Sequence, residues 1–405
     1  MIAETVASAA AKIEARTPAS RDRAVDGLRA LALLAVPTGH WLLGGFTLDA
    51  DGALHNASPL STFGGFAPVS WVLQMLGIFF LVGGYASVLS YRRRRSTTAA
   101  WLRGRVVRLG RPVLGVTAVW AVLLPVLYAL GVPATTLRTG STLVIQPLWF
   151  VGIYVIVTAL TPYCVAAARR LGAWAAAPLL VSVAAVDLLR YGPYAEAVPS
   201  WLSVLNILPG WLFAYQLGVS WGEGRIGRRG ARVLLVGGGL LFAVLLVVFH
   251  YPASMVGVPG EVRTNSHPPS LLVLALAAAQ SGAAILVRDR LGRLLARPAL
   301  WAPVVVVNLS AMTILCWHQT AMLAVAVPGS FAGELAGLTT SPDTLGWILA
   351  RLSWLPLFAT LLVVIGRYAR GFDAPWETGT RRARARRAAA GLLAAGFAVF
   401  ALGLA

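Results

Sequence analysis

Apolar runs recur along this chain with hardly a break, at about 27–46, 66–90, 112–132, 143–164, 171–190, 201–221, 231–250, 270–288, 302–328 and 345–366. Each reaches the roughly 20 residues that an α-helix needs to cross the hydrocarbon layer of a bilayer. A chain in hydrocarbon must satisfy its backbone polar groups internally, and runs of this length do so as helices. The predicted fold is therefore all-α, a polytopic transmembrane bundle of ten core spans. An Ala- and Gly-rich stretch at 388–405 is expected to add an eleventh. The composition agrees, at 58% hydrophobic and only 12% charged. A soluble chain carries about twice that charge.

The basic residues fix the expected orientation. Of 34 Lys and Arg, 30 fall in alternate segments, counted from the N terminus. The intervening segments hold three, Arg138, Arg190 and Arg263, while Arg351 lies inside the tenth span. Cytoplasmic loops concentrate such residues, so the N terminus is predicted to be cytoplasmic. The same sorting accounts for "YRRRRSTTAAWLRGRVVRLGRP" without nucleic acid as a partner. Residues 1–20 lack the apolar core of a signal peptide and read as a cytoplasmic tail. Residues 21–387 read as one membrane domain, and the chain as a multi-pass protein of the cell membrane. Cys164 and Cys316 sit in apolar segments without metal-ligand spacing, so neither a metal site nor a bound cofactor is expected.

The first span breaks the apolar rule. "AVDGLRALALLAVPTGHWLL" carries Arg29 near its start and His40 deep inside. Ionisable groups within a membrane are costly, and they face a protein interior or a wet cavity. Eleven residues on a helix place Arg29 and His40 within about 20° of one face, separated by about 16 Å along the axis. Asp26 is one turn before Arg29 and can pair with it. Pro37 removes a backbone hydrogen bond just before His40 and can bend the helix. The ninth span carries a second histidine, His318, in "NLSAMTILCWHQTAML", where Asn308 and Gln319 are also eleven apart and would share a face. Either histidine could simply hydrogen-bond a neighbouring helix. At similar depth, the two could instead line one cavity.

Together these segments resemble the membrane acyltransferase-3 family. Arg29 and His40 in "DGLRALALLAVPTGH" match the spacing of its first-helix arginine–histidine signature. "RVVRLGRP" is similar to its cytoplasmic Arg-x-x-Arg motif, at Arg105 and Arg108. "PLWFVGIYVIVTALTP" resembles its Leu-Trp-Phe segment, with Trp149, Phe150 and Tyr154, and "MTILCWHQTAML" resembles its late aromatic–histidine motif. Many relatives carry a glutamate shortly after the Leu-Trp-Phe residues, and here that stretch reads "VGIYV". The chain is also expected to lack the C-terminal extracytoplasmic domain that some relatives carry.

The resemblance implies O-acyl transfer from acyl-CoA to a hydroxyl of a sugar, a glycan or a small natural product. Histidine suits removal of a hydroxyl proton near neutral pH. His40 is the expected base, with Arg29 beside the donor and His318 as the fallback. Arg105 and Arg108 are the expected partners of the CoA phosphates, which guanidinium groups bind bidentately. Trp149, Tyr154, Asn308, Gln319 and Arg351 are expected around the substrate cavity. The rival reading is a transporter or flippase of a glycolipid or small molecule. Against it stands the near absence of mid-membrane carboxylates, which proton-coupled carriers use as relays.

Overall fold

The computed structural model describes residues 2–192, 198–259 and 264–373, with 388, 389 and 392 beyond them. Apart from those three residues, the expected eleventh helix at 388–405 lies outside the described residues. The chain opens with α1 (Ile2–Ala15) and α2 (Arg23–Leu43). An antiparallel hairpin follows, β1 (Gly45–Leu48) and β2 (Leu54–Ala57), with Gly45 opposite Ala57. Then come α3 (Ala67–Leu73), α4 (Leu76–Arg92), α5 (Thr98–Ala129), α6 (Ala134–Ile145), α7 (Trp149–Ala159), α8 (Thr161–Leu171) and α9 (Ala177–Tyr191). The series ends with α10 (Ile207–Gly222), α11 (Arg228–Val247), α12 (Leu271–Leu294), α13 (Pro298–Leu309), α14 (Ala311–Ser330) and α15 (Leu345–Asp373).

Nine segments among the described residues are long and apolar enough to cross a membrane. Helix α2, predicted as the first span, is 21 residues long, but Asp26, Arg29 and His40 dilute its apolar character and it is not one of the nine. The expected breaks differ in two places. The predicted fourth span, 143–164, is observed over Ala134–Ala159, and the chain restarts at α8 with Pro162 in its first turn. Proline is favoured there because the missing N–H has no helical partner in any case. The predicted ninth span is not one helix. It stops at Leu309 and restarts at Ala311, with Ser310 at φ −97° and ψ 11°. No glycine or proline marks that break.

Helix α2 lies where the packing clusters meet. Val25, Leu28 and Ala32 pack in one cluster with α4, α10 and α12. Trp41, near the other end, packs in another with Trp120 of α5, Trp317 of α14 and Phe358 of α15. The helix stays continuous through Pro37. Its first turn is capped by Asp22, whose carboxylate accepts from Val25 N at 3.1 Å. The other Asp22 oxygen accepts from Arg288 of α12 at 2.6 Å and from the Tyr85 hydroxyl of α4 at 3.2 Å. A cap that also reaches two neighbouring helices fixes the cytoplasmic end of α2 by its predicted orientation.

Helices α4 and α10 touch backbone to backbone. A Cβ at Gly84 would overlap the Tyr215 carbonyl oxygen, and one at Gly218 would overlap the Leu81 carbonyl oxygen. Small residues permit such approach, and close packing is a main source of helix association in lipid. Gly218→Val is expected to cost about 1–3 kcal/mol by forcing the pair apart. Gly239→Ala, at a site with open space around it, should be silent. Thermal unfolding of the purified protein in detergent checks this, and equal midpoints for the two variants would contradict it.

Candidate active site

His40 sits one turn before the end of α2, and α14 presents His318 and Gln319 to it. The two imidazoles meet edge to face, with ring centres 5.0 Å apart. Nδ1 of His318 lies 3.1 Å from the Ile314 carbonyl oxygen and 2.9 Å from that of Leu315. Carbonyl oxygens only accept, so this nitrogen carries the proton and Nε2 carries the lone pair. That Nε2 is 3.4 Å from Nδ1 of His40. Two facing lone pairs would repel, so Nδ1 of His40 carries a proton. The Gln319 carboxamide places its nitrogen 2.6 Å from the same Nδ1 and leaves its oxygen buried with no partner among the described residues. Its two ends exchange by a half-turn of the amide, and with the oxygen facing His40 it accepts this proton. The lone pair of His40 then resides on Nε2, which has no hydrogen-bond partner among the described residues.

That nitrogen belongs to a residue on a cavity wall. The cavity has about 160 Å³ of free volume and is bordered by His40, Gln319, Trp149, Gln146, Asn56 and His267, among others. This is close to the roughly 150 Å³ that admits a benzene-sized molecule. It lies at the end of the bundle where α2 finishes, beside the β-hairpin. His318 is fully buried behind His40 and does not border the cavity. The structure thus brings the two histidines together as expected but gives only His40 access to the space.

The frame around His40 comes from Arg351. This side chain is fully buried in α15. Nε donates to the Trp41 carbonyl at 2.6 Å, Nη2 to that of Gly44 at 3.0 Å and Nη1 to that of Gly337 at 3.1 Å. Trp41 and Gly44 bracket the C-terminal end of α2, where helix carbonyls have no intrahelical partner and the dipole favours a cation. Arg351 was expected to line the substrate cavity; instead it caps the helix that carries His40. The Trp41 indole completes the frame by donating to the His318 carbonyl at 3.1 Å.

At the opposite end of α2, Arg29 pairs with Asp26 at 3.4 Å. Asp26 is buried and also accepts from Arg21. Arg105 of α5 is half-buried, stacks 4.7 Å from the Trp101 ring and approaches the Ser87 hydroxyl at 3.5 Å. Its electrostatic neighbours include Arg29, Arg108, Tyr154 and Tyr215. Arg108 is exposed. Three arginines therefore gather at one end of α2, with His40 at the other.

Aromatic rings gather where α4 meets α7. Phe79 and Phe80 of α4 pack against Phe150 and Tyr154 of α7. Trp149 reaches the cavity wall, whereas Tyr154 lies deeper and does not. Asn308 departs most from expectation. Asn308 and Gln319 both turn toward α2, as the expected shared face requires, but they meet it at opposite ends. Asn308 donates to the Asp26 carbonyl at 2.9 Å, beside the arginines, and does not border the cavity.

One cavity histidine was missed altogether. His267 precedes α12, and its ring meets Trp149 edge to face at 4.9 Å. Its only sequence signal was a histidine in "SHPPS", between two polar residues and two prolines. Among the described residues no group of three or more His, Cys, Asp or Glu could hold a metal ion.

A family model described as an acyltransferase domain matches residues 22–367, a stretch that takes in every predicted site residue. No curated protein matches the chain. No solved structure matches it either.

Proposed function

We propose, on the premise that this chain belongs to the membrane acyltransferase-3 family and so transfers acyl groups, that it moves an acyl group from acyl-CoA to a hydroxyl. The acceptor is a sugar, a glycan or a small natural product, and His40 is the general base. The reading rests above all on the His40–Gln319–His318 constellation. It leaves an imidazole lone pair at the wall of a cavity, held from behind by groups that fix the tautomer. Base, fixed tautomer and orienting partner are the parts that general-base activation of a hydroxyl requires.

The step balances as follows. The acceptor oxygen attacks the thioester carbonyl while Nε2 of His40 takes its proton. The C–O bond forms, the C–S bond breaks, and the proton passes to the CoA thiolate. The other end of the donor has to be held as well. CoA carries several phosphate charges, and Arg29, Arg105 and Arg108 gather where α2 begins. The pantetheine arm extends on the order of 15 Å from bond lengths. The rise from Arg29 to His40 is about 16 Å. A donor with its phosphates on the arginines thus has the reach to bring its thioester to His40. The predicted orientation puts these arginines on the cytoplasmic side, where acyl-CoA is made.

The test is transfer of label from acyl-CoA, in membranes containing the chain, to an extract of envelope glycans and metabolites from the native cells. No ester with any donor, together with gradient-driven movement of solute, would return the protein to the transporter reading. A second measurement bears on the donor site. Replacing Arg105 and Arg108 together with alanine should raise the donor KM by more than it lowers kcat, the pattern of lost uniform binding. An unchanged donor KM would leave these arginines as orientation signals.

A further inference from the structure

His267 faces the same cavity as His40, and the chemistry above makes no use of it. The loop that carries it is tightly built. Asn265 donates to the carbonyls of Pro252 at 2.6 Å and Ser254 at 2.8 Å. Its own side-chain oxygen accepts from the Ser270 hydroxyl at 2.7 Å. Thr264 donates to the His267 carbonyl at 2.5 Å. Asn265, Ser266 and Ser270 are all buried. A loop bonded this way presents its side chains at fixed positions rather than sweeping them through solvent.

The tautomer of His267 follows from its neighbour. The Ser266 hydroxyl lies 3.0 Å from Nδ1. Ser266 is buried, and a buried hydroxyl proton without an acceptor is costly. If Nδ1 accepts that proton, the serine is satisfied. If Nδ1 donated instead, the serine proton would be left with no acceptor in the described surroundings. Nδ1 therefore accepts, and Nε2 carries the ring proton. Nε2 has no partner among the described residues, and the ring is open to the cavity mouth. The surrounding protein still desolvates it enough to push its pKa below the ordinary histidine value, which keeps the ring neutral at pH 7. His40 thus offers a lone pair and His267 an N–H to the same space.

The size of the cavity says which substrate meets that N–H. About 160 Å³ admits a benzene-sized group, so the thioester end of one substrate and the whole of a sugar or natural product do not fit inside it together. The bulk of the acceptor must lie at the mouth. There the Trp149 indole supplies an apolar face, and the side chains of Asn56 and Gln146 border the same space. An aromatic platform beside neutral hydrogen-bonding groups suits a hydroxyl-rich compound, whose ring faces are apolar and whose edges are polar.

We infer that His267 is the acceptor-binding residue of this site. Its Nε2–H donates to an acceptor oxygen next to the reacting hydroxyl, while the acceptor packs on Trp149. The inference rests on the acyl-transfer reading, and the test separates the two. The full chain in membranes is given labelled acyl-CoA and graded amounts of native-cell extract, and the amount of extract for half-maximal labelling is read for each variant.

His267→Ala should raise that amount ten-fold or more and leave the donor KM unchanged. His267→Gln, whose side-chain N–H falls near the position of Nε2, should recover most of the loss. Recovery by glutamine also rules out a merely structural effect, because glutamine does not replace the ring packed on Trp149. Unchanged half-saturation in His267→Ala, with wild-type transfer intact, overturns the role of His267 alone. A loss in both variants confined to kcat overturns it too. Absence of any transfer by the wild type overturns the acyl-transfer reading beneath it.

Discussion

His40→Ala will leave the protein inserted and folded while acyl transfer falls by roughly 10²–10⁴-fold, the range lost with a positioned acid–base group. One imidazole contributes little to the packing of α2, whose apolar side chains reach four separate clusters. Its removal takes away the one cavity-facing nitrogen, among the described residues, that the hydrogen-bond pattern leaves as a lone pair. His318→Ala should cost less, because that ring lies behind His40 and does not border the cavity. Gln319→Leu should fall between the two, since it frees the His40 ring to adopt the other tautomer. Transfer of labelled acyl-CoA in membranes, normalised to immunoblot, gives all three numbers. Near-normal transfer by His40→Ala with loss in His318→Ala would move the base to α14.

Arg351→Met should be the most damaging substitution for folding among those considered. Methionine fills much of the volume but donates nothing, so the carbonyls of Trp41, Gly44 and Gly337 lose their partner together. A buried polar group left unpaired costs about 1–3 kcal/mol. A combined loss on the order of 3 kcal/mol should lower the unfolding midpoint by roughly 3–4 °C for a chain of this size. The fraction that survives should transfer poorly, because the freed carbonyls end the helix that aims His40. Arg351→Lys should restore part of the stability, since one ammonium cannot reach all three oxygens along the directions that a planar guanidinium covers. Thermal unfolding in detergent with parallel activity measures both effects. A stable, active Arg351→Met would show that α2 ends securely without this cap.

The helical architecture was legible because hydrophobic run length is nearly sufficient when lipid is the solvent. The pairing of Asp26 with Arg29 and the meeting of His40 with His318 were legible for a related reason. Polar residues are so sparse within the spans that few partners compete for them. Gln319 was found from its face of α14. Its service to His40 was not, because that depends on which ring nitrogen the neighbouring carbonyls leave free. Arg351 was misplaced by a sound rule applied without geometry. A charge inside a span does face the protein interior, but the interior it faces is the end of a helix rather than a cavity. Asn308 failed on depth, because it meets α2 at the Asp26 end while the cavity lies at the His40 end. His267 was missed because a loop residue carries no periodicity, and only the fold brings it opposite His40.

The glycine contact between α4 and α10 has a mechanical consequence. Layers of side chains between helices yield when one helix shifts, much as a cushion does, because rotamers can readjust. At Gly84 and Gly218 there is no such layer, and backbone meets backbone. Helices α4 and α10 therefore move as one stiff body. That body carries Ser87 beside Arg105 at one end, and at the other Phe80 stacked on Trp211, whose ring meets Trp149 at a tilt. A tug on its arginine end is delivered, without slack, to the floor on which the second substrate has to sit.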